Sequence, residues 1–341
     1  TSFASGQGPD IFIISPGDFL RYYNGGVLQD LTPAIEEAAR ADFPESVIAN
    51  RMVDGKIFGV PMEVEPMAFY YSVKAFEDAG LNENDVPKTW DELLELGKKL
   101  TTSDRYGLLF DTNPGYYQNF TWYPFMWQGG GEFQTADGKS GFNSPAVIAA
   151  LKLWKDAIDS GSAPRQINAG GFDIVANMGA GYCAMQNCGI WGIAAMEQKA
   201  PDVPFGMFKL PIPAGGKYVT VGGGWAFVAN AKGKDPETAG KFIAWALASK
   251  SPDSVQRIVD WCTVAKSDMP PRQSAIEAGK AAYGQGGLKF FADEVYPGAY
   301  KIISDAIQAA MLGGVEPEKA AADASALLDT FLASYKGAPM L

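Results

Sequence analysis

Residues 4–18 read Ala4-Ser5-Gly6-Gln7-Gly8-Pro9-Asp10-Ile11-Phe12-Ile13-Ile14-Ser15-Pro16-Gly17-Asp18. Gly6 to Asp10 is turn chemistry. Ile11 to Ile14 is a short apolar run of the buried-strand kind. Ser15 to Asp18 then breaks the strand, and a loop at the end of such a strand is where α/β folds place ligands. A helix from about Phe19 to Tyr23 follows and stops at Asn24-Gly25-Gly26.

The same alternation continues outward. Gly55-Lys56-Ile57-Phe58-Gly59-Val60-Pro61 reads as strand and turn, and Ala68-Phe69-Tyr70-Tyr71 as another strand. Thr89-Trp90-Asp91-Glu92 is a capping box, with Leu93, Leu94 and Leu100 on the apolar face of its helix. Ser144-Pro145 opens a helix that buries Val147, Leu151, Trp154 and Ile158 and ends at Gly161. Asp235-Pro236-Glu237 opens a third, with Ala239, Phe242, Ile243, Ala246 and Leu247 on its buried side. Two more run from about Tyr300 to Met311 and from about Pro317 to Tyr335. Strands alternating with helices define an α/β fold. At 341 residues the chain is long enough for two domains. It has no long linker, so the chain is expected to cross between its two lobes more than once.

Composition excludes several functions. Histidine is absent, which removes every Ser-His-Asp triad, Cys-His dyad and histidine metal ligand. Lysine plus arginine is 28 against 39 aspartates and glutamates, a balance of −11, so general electrostatics will not hold nucleic acid. No run of 18 or more apolar residues exists to span a membrane. Residues 174–196 carry no charge, but glycines interrupt them, and they read as a buried strand and turn. Cys183, Cys188 and Cys262 are too few for a disulfide scaffold. They read as buried small side chains, with a Cys183–Cys188 bridge as the alternative in an oxidising compartment.

The aromatics are unevenly placed. Residues 116–127 hold Tyr116, Tyr117, Phe120, Trp122, Tyr123, Phe125 and Trp127. Helical spacing links Tyr116, Phe120, Tyr123 and Trp127, which reads as a core stripe. The rival reading is a platform for sugar rings, whose C–H faces stack on Trp or Tyr while Asn119 and Gln128 bond hydroxyls. Trp191 and Trp225 both stand beside glycines, Gly189 and Gly222-Gly223-Gly224. A large ring on a glycine-rich turn fits a binding surface. That triple glycine is no phosphate loop, since no Gly-Lys-Ser/Thr follows. Glu63 and Glu65 lie two apart, on one face of a strand. Three readings stand open for them: an acid/base pair for glycoside hydrolysis, acceptors for sugar hydroxyls, or a solvated edge.

Taken together these residues resemble the extracellular solute-binding proteins of bacterial ABC importers, in the sugar-binding group that includes maltodextrin-binding protein. Ala4 to Ile11 is similar to the family's "ASG-GPD" segment. Val64-Glu65 with Phe69-Tyr70-Tyr71 resembles its first hinge, and Trp122 to Gly131 its W…GG segment. Gly181 to Met185 with Trp191 resembles "G-AM…G-W". Gly222 to Trp225, followed by Ala239 to Ile243, resembles the second hinge and its helix. Pro271-Arg272-Gln273-Ser274 resembles a "P-R-S" loop. The pieces occur in the family's order over nearly the whole chain.

The resemblance implies a two-lobed periplasmic-binding-protein fold with hinge strands and a ligand cleft between the lobes. An N-terminal lobe would comprise residues 1–63 and 225–290, and a C-terminal lobe 68–218 and 296–341. The crossings would be 64–67, 219–224 and 291–295. The family places a βα unit ahead of Gly6 where five residues stand here, so that unit is expected to be missing from the sequence. Ligand contacts implied by position are Ser15, Asp18, Glu65, Asn119, Trp122, Trp191, Gly223, Trp225 and Arg272. The strand-tip loop lacks the aromatic and basic residues of the maltodextrin proteins, which argues against maltose itself. The implied protein is a periplasmic or membrane-tethered extracellular monomer. It would capture a sugar and deliver it to a membrane permease, with no cofactor, no metal and no catalysis. Two alternatives stay open: an anionic sugar held by Arg272, and a carbohydrate-active enzyme using Glu63 and Glu65.

Overall fold

The computed structural model describes residues 3, 5–6, 8–265, 271–275, 288–289 and 299–338. The chain divides into two units. One comprises Thr1–Pro66, Gly222–Pro297 and Lys336–Leu341, the other Met67–Val221 and Gly298–Tyr335. The chain passes between them at Pro66–Met67 and again at Val221–Gly222. The expected third crossing, 291–295, lies outside the described residues. The tail beyond Tyr335 belongs to the first unit rather than the second, and the Ala338 N–H donates to Asn24 Oδ1 at 3.0 Å.

The first unit is built on a three-stranded antiparallel sheet in the order Ile11–Ile14, Ala226–Ala229, Val60–Pro61. Register runs Ile11↔Ala229 to Ile14↔Ala226 on one side and Ala226↔Pro61 on the other. Among the described residues Ile11–Ile14 is paired on one side alone, and of its four residues only Ile14 is buried. Leu31, Phe43, Val60, Met62, Ala229, Ile243 and Ile258 form the core below. The helix Pro236–Leu247 starts as its sequence dictates. Asp235 accepts the Thr238 N–H at 3.0 Å, and Pro236 fills the first turn, where no amide is needed. Ala239, Ile243 and Leu247, spaced by four, are buried. Phe242, expected with them, falls outside that stripe and is 49% exposed.

In the second unit, Met67–Ser72 of the strand Glu65–Ser72 pairs antiparallel with Cys183–Gly189 and with Phe205–Phe208. Cys183–Gly189 also runs parallel to Tyr106–Leu109. Thr89 and Glu92 close the expected capping box, each side chain accepting the other's backbone N–H at 3.1–3.2 Å. The helix Pro145–Asp159 buries Val147, Leu151, Trp154 and Ile158 as its spacing requires. Residues 174–196 hold more helix than their lack of charge suggested. The wholly buried strand Cys183–Gly189 lies between the turn Val175–Gly179 and the helix Trp191–Lys199. All three cysteines are buried thiols outside any disulfide. Cys183 and Cys188 sit five apart on one strand, so their side chains point to opposite faces and do not bridge.

Candidate functional site

The second unit gathers an aromatic cluster at the end of its sheet. The helix Tyr116–Gln128 begins after the loop that leaves the Tyr106–Leu109 strand, and Gly115 turns the chain with a φ of 138°. Its first turn is fixed from below. Ser304 accepts the Gly115 N–H at 2.9 Å and donates to Gln118 Oε1 at 3.0 Å. Gln118 Nε2 in turn donates to the Asp111 carbonyl at 2.8 Å. Tyr117 is left 38% exposed at the start of the helix. Its ring centroid lies 6.0 Å from Phe120, 6.0 Å from Phe172 and 6.4 Å from Trp191, and Phe120 to Trp191 is 6.3 Å. These separations suit mutually supporting rings.

Trp191 is held there by backbone. It opens its helix rather than sitting on a free turn, and its ring lies over the Gly189 Cα. A Cβ at Gly189 would come within 1.7 Å of the indole, so only glycine leaves the ring its place. Tyr70 Oη donates to the Gly189 carbonyl at 2.8 Å and pins the same turn.

Asp111 lies in the loop between the Tyr106–Leu109 strand and this helix. Leu109 is in register with Gln186 of the Cys183–Gly189 strand. Thr112 beside it accepts the Ile167 N–H at 3.2 Å, and Gln186 Nε2 donates to the Phe172 carbonyl at 3.2 Å. The loop is therefore flanked by the two segments that supply Tyr117 and Phe172. Asp111 is 2% exposed. Burial pushes its carboxyl from 3.8 up to about 6, and the Asn113 N–H, 2.9 Å from Oδ1, offsets only part of that. Sequence reading names none of Asp111, Tyr117 or Phe172 as contacts. Asp111 does carry a visible signal, because Asp111-Thr112-Asn113-Pro114-Gly115 follows an apolar strand just as Ser15-Pro16-Gly17-Asp18 does.

Three expected contacts are corrected. Trp122 is fully buried against Tyr123 and Phe142, with ring centroids at 6.2 and 5.7 Å, and is core. Asn119 is fully buried as well, and its Nδ2 donates to the Tyr300 carbonyl at 2.8 Å. Gln128, the other polar residue of the aromatic helix, bonds Trp90 Nε1 and the Val219 carbonyl. The polar positions of that helix tie the core together. Arg272 is 2% exposed and used internally. Its Nε donates to Asp42 at 2.7 Å, Nη1 to the Leu247 carbonyl and Ser254 Oγ, and Nη2 to the Ser249 carbonyl. It has no fork left to present to an anionic ligand.

In the first unit the remaining expected residues stand at strand ends. Ser15 Oγ donates to Asp18 at 3.3 Å, and Asp18 pairs with Arg21. Glu65 is buried and in register with Gly223. Trp225 is 43% exposed and follows Gly224, whose φ of 116° suits glycine alone. Glu63 Oε1 accepts the Trp225 N–H at 3.1 Å, and the buried Arg51 donates to the Gly224 carbonyl at 3.2 Å. Burial lowers the Arg51 guanidinium to about 9. Glu63 and Arg51 thus hold the turn that presents Trp225.

Residues 1–251 match the profile described as bacterial extracellular solute-binding protein. A binding protein of Brucella abortus is 24% identical over 343 residues, covering 97% of this chain and 82% of its own. The arabinooligosaccharide-binding protein of Bacillus subtilis is 27% identical over 259 residues, covering 73% and 58%. The crystal structure of an ABC transporter solute-binding protein from Thermotoga lettingae, bound with alpha-D-tagatose, superposes with a TM-score of 0.84. It is 23% identical, and the match covers 97% of this chain and 87% of that one.

Proposed function

The chain belongs to the bacterial extracellular solute-binding protein family, and from that premise we propose that it captures a sugar outside the cytoplasm and delivers it to the permease of an ABC importer. The observation that carries the sugar reading is the half-open ring cluster of Tyr117, Phe120 and Trp191. Apolar ring faces with strand-end polar groups nearby suit a pyranose, which has a C–H face and a hydroxyl rim. The relatives described as binding arabinooligosaccharide and tagatose support the same class.

Trp191 would stack the sugar. In the first unit Ser15, Asp18, Glu65, Gly223 and Trp225 are the proposed further contacts, supported by their places at strand ends. We propose the paired segments at Glu65↔Gly223 and Pro66↔Gly222 as the hinge of a ligand-driven closure, which shifts the population to the form a permease recognises.

The test is a thermal-shift screen against neutral, amino, acidic and phosphorylated sugars. A ligand at about 100 times its dissociation constant adds about 2.7 kcal/mol. The expected result is a shift with at least one sugar that Trp191→Ala abolishes. No shift with any sugar would overturn the substrate class.

A further inference from the structure

We propose that Asp111 is a ligand-binding residue, and that the group it takes is a protonated amine on a sugar seated against Tyr117 and Trp191. The inference rests on the sugar-binding reading and narrows it to amino sugars.

Three observations carry it. The first is placement: Asp111 sits at the carboxyl end of a sheet strand, its carbonyl tied to the first turn of the helix that presents Tyr117. This is the position at which α/β folds meet their ligands. The second is an unspent acceptor. Oδ1 takes the Asn113 N–H, and among the described residues nothing donates to Oδ2 although the side chain is buried. The third is the lack of a counter-charge. Among the described residues no lysine or arginine forms an ion pair with Asp111. Of the two arginines that border these segments in sequence, Arg165 donates to the Leu312 carbonyl and Arg105 pairs with Asp78 at 3.8 Å. The charged residue of the Phe172 segment is Asp173, another carboxylate, which accepts the Ala176 N–H.

A sugar hydroxyl would satisfy Oδ2 but leave a buried negative charge in place. An ammonium would satisfy the acceptor and cancel the charge together. The Tyr117 and Trp191 rings of the same unit add to the preference, since Tyr and Trp faces attract cations. The net charge of −11 raises the local concentration of a cationic ligand.

The experiment is titration calorimetry at pH 7 with matched sugars that differ in one group. Glucosamine is set against glucose, galactosamine against galactose, and the glucosamine disaccharide against cellobiose. Wild type, Asp111→Asn and Trp191→Ala are compared, and the fold of each is checked by circular dichroism. The expected result is at least one amino sugar bound about 10- to 100-fold more tightly than its hydroxyl partner, with that preference lost in Asp111→Asn. Trp191→Ala should weaken both members of the pair. Equal binding of both members by wild type would overturn the amine proposal, and so would equal weakening of both by Asp111→Asn. Either result leaves the sugar reading standing. Binding of none of the sugars by wild type would overturn both.

Discussion

Asp111→Asn should make the unliganded protein more stable at neutral pH and leave it nearly unchanged in acid. Burial holds the Asp111 carboxyl at about 6 in the folded chain, against 3.8 for the free group. A raised acid binds more protons folded than unfolded between these two values. Stability therefore falls as pH rises from about 4 to about 6, and the full penalty is present above that. A rise of that size in the carboxyl's pKa corresponds to about 3 kcal/mol. Asparagine is nearly isosteric and keeps the Oδ1 acceptor for the Asn113 N–H, but its Nδ2 would replace Oδ2 without a partner and take back about 1 kcal/mol. The expected gain is thus about 2 kcal/mol at pH 7.5 and close to zero at pH 4. That is a rise of roughly 4–8 °C if the second unit melts independently. Differential scanning calorimetry of both proteins across pH 4–8 reads it directly. A gain of the same size at every pH, or a loss at pH 7.5, would refute the picture of a buried, uncompensated carboxylate.

Gly189→Ala should displace the Trp191 indole, since the new methyl would meet the ring at 1.7 Å. The overpacking should cost about 1–3 kcal/mol, and tryptophan emission should shift, with sugar affinity reduced at least as far as by Trp191→Ala. Arg272→Ala should destabilise the first unit by about 3–5 kcal/mol, because it strands buried acceptors and the Asp42 carboxylate. The folded fraction should keep its ligand preference, and a preference confined to anionic sugars and lost in that variant would contradict the internal role. Thr89→Ala should cost about 1 kcal/mol in urea melts, the usual worth of a helix cap. Cys183 should resist thiol reagents until the protein unfolds, because burial pushes its thiol well above the ordinary range.

Local signals carried the elements well. The Thr89–Glu92 box, the Ser144-Pro145 start and the Asp235-Pro236 start each depend on contacts within four residues, and each formed as read. The candidate site was less legible because its residues are chosen by tertiary contacts. Nothing in the periodicity of residues 116–128 says that Trp122 faces inward and Tyr117 outward. That choice is made by Phe142 on one side and by Phe172 and Trp191 on the other. Arg272 looked available because a sequence does not reveal that Asp42, 230 positions away, already holds it.

The misplaced polar residues follow one physical rule. A helix as aromatic as Tyr116–Gln128 buries nearly all of its surface, and any polar side chain on it is carried inward too. An amide in that position is costly unless bonded, so Gln118, Asn119 and Gln128 each reach a carbonyl of another segment. Gln118 and Gln128, bonded at both ends of the amide, cannot serve a ligand as well without abandoning those bonds. Polar recognition in this unit falls more readily to loops at the strand ends, where a side chain can stay unpartnered until a ligand arrives. Among the described residues of the strand-end loop that enters this helix, Asp111 is the buried side chain with an acceptor to spare. The cost of keeping it so is the stability that Asp111→Asn should restore.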